Sequence, residues 1–154
     1  MSDGADVRNA VEHIVYGYAE RIDLGDFAGV AELFAHARYK GGGPNDPGVK
    51  GSAPVLKIME TMVRRYDDGT PRTKHVTTNL VIDSDESAGT ATARSYFTVF
   101  QQLSGFPLQA IIAGRYQDAF ARVDGEWRLT ERVILCDLFG DLSQHLNGDP
   151  FADG

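Results

Sequence analysis

The sequence predicts an α+β fold in which three N-terminal helices pack on a strongly curved, mostly antiparallel sheet, a cone-shaped α+β barrel enclosing a pocket. Three observations point there. Apolar residues recur at helical spacing as far as Tyr66. From Arg72 onward the period becomes that of strands, with Thr, Val, Ile, Phe and Tyr enriched and turn signals at intervals. Helices followed by a run of long strands is an α+β order, and a curved sheet wrapping one long helix leaves a cavity between them.

The first helix is drawn by Val7, Val11, Ile14, Val15, Tyr18 and Ile22, one stripe that Gly25 can stop. Asp26 can cap a shorter helix carrying Phe27, Val30, Ala31, Leu33 and Phe34. His36 to Lys40 is a candidate short strand, and the glycines and prolines from Gly41 to Gly48 make a loop. Ser52 is the expected cap of a third helix, whose stripe runs Val55, Ile58, Met59, Met62, Val63 and Tyr66 before Asp67-Asp68-Gly69. Long strands are expected over 73–83, 89–103, 108–123 and 126–138, the last two joined by Asp124-Gly125, the strongest hairpin signal in the chain. The run Ala110-Ile111-Ile112-Ala113 is apolar on both faces, so both sides of the sheet should be covered, one by helices and the other by a second subunit. The tail from Gly140 to Gly154 is polar and turn-rich, a frayed end or a flap.

The chain has 154 residues, the size of one domain, and 15 basic against 22 acidic side chains give it a formal charge of -7. No basic run offers a surface to phosphate backbones or anionic lipids, so no nucleic acid and no membrane is expected as a partner. The single cysteine, Cys136, rules out an internal disulfide and any C-x-x-C motif, which suits a reducing, cytoplasmic location. His13, His36, His75 and His145 show no ligand spacing with one another or with Cys136, so no metal is expected. Gly-rich phosphate cradles, G-x-G-x-x-G and G-x-S-x-G are missing, which removes support for a nucleotide cofactor, a flavin or a serine hydrolase. The carboxylates show no paired acid/base spacing of the kind used on glycosides.

Three residues stand out chemically. Asp23 ends the first helix, where the macrodipole disfavours a carboxylate, so it is either solvated in the Asp23-Leu24-Gly25-Asp26 turn or compensated by a donor, as when it orients a histidine. His75 lies in Thr73-Lys74-His75-Val76-Thr77-Thr78-Asn79-Leu80, where alternation sets Val76, Leu80 and Ile82 on one face and His75, Thr77 and Asn79 on the other. That polar face meets either water or a polar-lined cavity, where a histidine is the natural general base. Arg132 shares a face with Ile134 and Cys136, and an arginine among apolar neighbours needs an anionic partner, for which Asp23 is suited. Arg94, Tyr96, Arg115 and Tyr116 also lie in the sheet, with alternation alone leaving open which face is inside.

The pieces Tyr18-Ala19-Glu20-Arg21-Ile22-Asp23, Gly25-Asp26-Phe27, Lys74-His75-Val76-Thr77-Thr78-Asn79-Leu80, Gly114-Arg115-Tyr116 and Asp124-Gly125-Glu126-Trp127-Arg128-Leu129, in this order, resemble the nuclear transport factor 2-like superfamily in its SnoaL-like branch. The chain is most similar there to the enzymes typified by scytalone dehydratase and hexachlorocyclohexane dehydrochlorinase. Those pair an aspartate ending the first helix with a histidine opening the first long strand, positions held here by Asp23 and His75. Arg132 matches the dehydrochlorinase arginine that completes the group. The chain departs from the dehydratase in having Ile22 where a tyrosine precedes the aspartate. It also has Val99, Phe100 and Gln101 near where a second histidine stands.

The resemblance implies one domain over residues 1–140 with a tail over 141–154, and a cofactor-free lyase or isomerase acting on a small, largely apolar or aromatic cyclic molecule. In that reading His75 abstracts a proton, Asp23 holds its tautomer and Arg132 fixes Asp23. The superfamily's habits also imply a homo-oligomer, a dimer or trimer. A non-catalytic module resembling the small subunits of ring-hydroxylating dioxygenases, and a polyketide cyclase, are the competing implications.

Overall fold

Three helices lie against a six-stranded sheet in the computed structural model, which describes residues 3–148. Helix α1 (Asp3–Asp23) buries Val7, Val11, Val15, Tyr18 and Ile22. It stops at Gly25, whose φ of 75° lets its own N–H reach Ile22 O and that of Asp26 reach Arg21 O. A Cβ on Gly25 would lie 2.0 Å from Gly69 O, so the turn also depends on the missing side chain. Asp26 caps α2 (Phe27–Glu32), its Oδ1 accepting the Gly29 N–H at 2.9 Å.

Strand β1 (Arg38–Lys40) pairs antiparallel with β2 (Val49–Lys50), a two-residue strand too short to leave a pattern in the sequence. The glycine loop between them closes on Asp46, whose carboxylate accepts the N–H groups of Gly42 and Gly48 at 2.9 Å each. Helix α3 (Ser52–Met62) is capped by Gly51 at φ 96°, and Ser52, the expected cap, is its first helical residue with no side-chain cap bond. The helix ends earlier than its apolar stripe, because Val63 turns extended and bridges to Leu146 of the C-terminal segment. Tertiary pairing overrides periodicity there.

The long strands are β3 (Thr73–Asp85), β4 (Thr90–Leu103), β5 (Phe106–Val123) and β6 (Glu126–Phe139). The sheet order is β2-β1-β6-β5-β4-β3, and every pairing is antiparallel except the parallel β1 with β6. The sheet curves without closing; β2 and β3 are its edges. Register shifts occur in all three long pairings, and such bulges bend and twist a strand locally.

Those bulges correct two readings made from alternation. Thr78 to Val81 takes three steps on β3 while Tyr96 to Arg94 takes two on β4, with Asn79 at φ 57° absorbing the extra residue. Parity therefore flips: His75 and Thr77 turn inward before the bulge, Leu80 and Ile82 after it, while Val76 is exposed, so Val76 does not share a face with Leu80. On β5, Ile111 falls between the pairs Ile112 with Val99 and Ala110 with Phe100, so the apolar run marks a bulge; Ala110 within it is exposed, and the outer face of the sheet is uncovered in the single chain. The inner face, with Ala91, Ala93, Phe97, Val99, Phe120, Trp127 and Leu129, joins the helical stripes in one core. Residues 140–148 return across the end of α3, and the rest of the predicted tail, 149–154, lies outside the described residues.

Candidate active site

Asp23 and His75 meet where the end of α1 crosses the start of β3. Asp23 Oδ1 lies 2.7 Å from His75 Nδ1 and accepts the Thr73 hydroxyl at 2.9 Å, while Oδ2 accepts the His75 backbone N–H at 2.7 Å. The two side chains are 11% and 8% exposed. Three donors thus compensate a carboxylate that the helix dipole disfavours. A carboxylate only accepts, so His75 Nδ1 carries the proton of this bond and Nε2 is the ring nitrogen left outside it.

Arg132 is a correction. Its Nε and Nη2 donate to Asp118 Oδ1 and Oδ2 at 2.8 Å each, so its anionic partner is Asp118 on the neighbouring strand and not Asp23. Both side chains are almost fully buried, at 1% and 0% exposure. The guanidinium carbon sits 3.8 Å from the centroid of the Tyr116 ring and 4.3 Å from that of Tyr18. Arg132 therefore stands behind an aromatic wall, sharing the inner face with Ile134 and Cys136 as the alternation indicated. Of the other sheet candidates, Tyr116 faces inward. Arg115 pairs with Asp137 and Arg94 with Asp83 on the exposed face beside Tyr96.

That wall borders a cavity of about 340 Å³. Tyr18 and Ile22 of α1, Met59 and Met62 of α3, Phe97, Val99, Ile112 and Ile134 of the sheet, and Leu142 and Leu146 of the C-terminal segment line it. Its polar lining includes His75, His145, Tyr39 and Asp46. Phe97 stacks on Tyr116 with centroids 4.5 Å apart. A Cβ on Gly114 would come within 2.9 Å of the Phe97 ring and 2.1 Å of Leu135 O, so a glycine there makes room for that stack. Burial pushes the phenols of Tyr18, Tyr39 and Tyr116 up from the ordinary tyrosine value, and burial followed by Asp137 pushes the Cys136 thiol up. These phenols and the thiol stay protonated near neutral pH.

The sequence reading passed over His145, which has no motif around it. The C-terminal segment carries it to the cavity wall, where its ring centroid is 6.2 Å from that of His75. Burial, followed by the nearby His75, pushes its pKa down to about 3. The one available signal was negative: a histidine in a polar tail with no ligand spacing. Among the described residues, no three His, Cys, Asp or Glu side chains gather as metal ligands would, and no helix is long and apolar enough to cross a membrane.

The sequence pattern of the SnoaL-like domain matches residues 4–133. Solved structures share the fold. A protein of unknown function from Mycobacterium tuberculosis, Rv3472 carrying D26N, is 22% identical with a TM-score of 0.71, covering 88% of this chain and 74% of its own. LinA is 20% identical with a TM-score of 0.70, over 96% of this chain and 97% of its own. A provisionally named scytalone dehydratase from Novosphingobium aromaticivorans is 24% identical with a TM-score of 0.67, over 92% and 91%. No curated protein sequence matches the chain.

Proposed function

The chain belongs to the SnoaL-like domain family, and from that premise we propose that it is a cofactor-free lyase or isomerase acting on a small, largely apolar cyclic molecule. One observation carries the reading: the His75 imidazole, bonded through Nδ1 to Asp23 at 2.7 Å, borders an apolar cavity of about 340 Å³. That is the arrangement a carbon acid needs. Nε2 takes a proton from a ring carbon, and Asp23 holds the tautomer and stabilises the imidazolium that forms. Apolar walls exclude water and strengthen the electrostatics of the transfer.

Arg132 has a different part from the one the sequence suggested. Held by Asp118, it supports the Tyr18 and Tyr116 rings from behind and so positions the wall against which the substrate ring packs. Self-association through the exposed sheet face, which carries Val76, Val81 and Tyr96, and a cytoplasmic location belong to the same reading.

Product analysis tests it. The protein and its His75→Ala variant are incubated with a hydroxylated ring, a halogenated ring and a linear polyketide. Elimination or isomerisation of a ring that fails in the variant is expected. Equal turnover by His75→Ala overturns the assignment, and cyclisation of the polyketide alone redirects it to a cyclase.

A further inference from the structure

We propose that Asp46 is a specificity-determining residue, whose carboxylate selects ring molecules carrying a positively charged nitrogen at the end remote from His75 and rejects rings carrying a carboxylate there. This rests on the reading of His75 as the base, and it names the charge of the molecule that base handles.

Asp46 is the one carboxylate lining the cavity, and among the described residues no lysine or arginine lines it. His145, with its pKa pushed down to about 3 by burial, adds no cation near neutral pH. The Arg132 guanidinium lies behind the Tyr18 and Tyr116 rings and is matched by Asp118 at 2.8 Å through two bonds. Lys40, whose charge bears on Asp46, also turns to Pro44 O at 3.4 Å and to Glu131 at 3.9 Å. Carboxylates therefore set the field inside: Asp46 itself and, beneath His75, Asp23. Apolar walls around charge of one sign concentrate that field on whatever enters.

The two ends of the cavity come from opposite edges of the sheet. His75 stands on β3 at one edge, and the loop carrying Asp46 joins β1 to β2 at the other. A ring that gives up a proton to His75 thus turns its far end toward Asp46. That carboxylate is fixed, because Oδ2 accepts the Gly42 N–H and Oδ1 the Gly48 N–H at 2.9 Å each. The same two bonds hold its carboxyl below the usual carboxylate value, so it is ionised near neutral pH. Asp46 is half-buried, and each oxygen, having accepted one N–H, keeps a further lone pair for a donor on the ligand. Tyr39 lines the same end, with its ring 2.9 Å from where a Cβ on Gly41 would stand, and offers an aromatic surface to an ammonium group.

Titration of the full chain with 2-naphthylmethylamine, 2-naphthylmethanol and 2-naphthoate near neutral pH and at low salt tests this, because the three share one ring and differ in charge. Wild type is expected to bind the amine most tightly and the naphthoate least, with steps of about threefold to fivefold, the worth of one partly exposed charge pair. Asp46→Asn should weaken the amine and strengthen the naphthoate by about that factor while the alcohol is unmoved, and Asp46→Glu should keep the order. Glu86→Gln, which removes a charge from the β3–β4 turn outside the cavity, should leave all three affinities in place, separating Asp46 from the overall charge of the chain. An order that survives Asp46→Asn overturns the inference. So does naphthoate binding as tight as that of the amine in wild type, an equal effect of Glu86→Gln, or binding of none of the three. If Asp46→Asn loses all three probes alike, Asp46→Ser decides, since its hydroxyl can also accept the Gly48 N–H. Recovery of the alcohol without the charge order supports the inference, whereas loss of all three again overturns it, because loop shape and not charge then sets binding. His75→Ala still carries Asp46 and should keep the order while losing turnover, so the base is judged by turnover alone; an order that vanishes in His75→Ala and persists in Asp46→Asn places the selection at His75 and overturns the role of Asp46.

Discussion

Replacing Asp23 by asparagine should disable the site while leaving the fold standing. Oδ1 of Asp23 serves the Thr73 hydroxyl and His75 Nδ1, whereas Oδ2 serves the His75 backbone N–H. A backbone N–H can only donate, so the amide oxygen of asparagine must take the place of Oδ2. Its NH2 then points at His75 Nδ1 and at the Thr73 oxygen, both of which can accept. The His75 proton is thereby forced to Nε2, and the lone pair facing the cavity is lost. General-base catalysis is worth about 10²–10⁴-fold, so kcat should fall by that factor, about 3–5 kcal/mol in the barrier. Stability should change little. Three charge-assisted bonds become neutral, a loss of about 1–2 kcal/mol, and removing a carboxylate from a helix C-terminus returns about 0.3–1 kcal/mol. A net cost near 1 kcal/mol lowers Tm by about 2–4 °C. Steady-state turnover and thermal melting read the two effects separately. Turnover close to wild type would refute the tautomer argument, and collapse of the fold would refute the claim that the amide fits.

Asp118→Ala should cost about 3–5 kcal/mol in urea unfolding, since it leaves the Arg132 charge buried without its partner. Combining Asp118→Leu with Arg132→Met should restore most of that. Gly114→Ala should destabilise by about 1–3 kcal/mol through overpacking against Leu135 O and Phe97, and a matching drop in denaturation midpoint checks it. Asp26→Ala should cost about 1 kcal/mol for the lost cap of α2, seen in the same measurement. His145 adds an acid dependence. Its folded pKa of about 3 lies below the unfolded value of about 6.5, so the unfolded chain binds the extra proton. Stability is therefore full above about pH 6.5 and falls by about 1.4 kcal/mol per pH unit as pH drops toward 3. Urea midpoints between pH 6.5 and 5.5 should fall more steeply in wild type than in His145→Phe.

The fold was largely legible because its signals are local. The apolar stripe of α1, the Asp26 cap, the Gly25 stop and the Asp124-Gly125 turn each declare themselves within a few residues. Asp23 and His75 could be singled out because one sat against a helix dipole and the other on a polar face of an otherwise apolar strand. What the sequence hid is what depends on three-dimensional register. The bulge at Asn79 flips the parity of β3, and no periodicity reveals one inserted residue. Arg132 needed an anion, for which the sequence pointed to Asp23, and only the β5 with β6 register places Asp118 opposite it. His145 was invisible because it reaches the cavity through backbone bonds to α3 and β4 side chains that leave no local pattern.

The most direct test of the His75 assignment is a long-range ¹H–¹⁵N correlation of its imidazole, which reports the protonated nitrogen without any substrate. Wild type should show the proton on Nδ1 and the lone pair on Nε2, and Asp23→Asn should show the reverse. A wild-type ring protonated on Nε2, or a pattern unmoved by Asp23→Asn, would contradict the proposal that Asp23 poises His75 as a base toward the cavity.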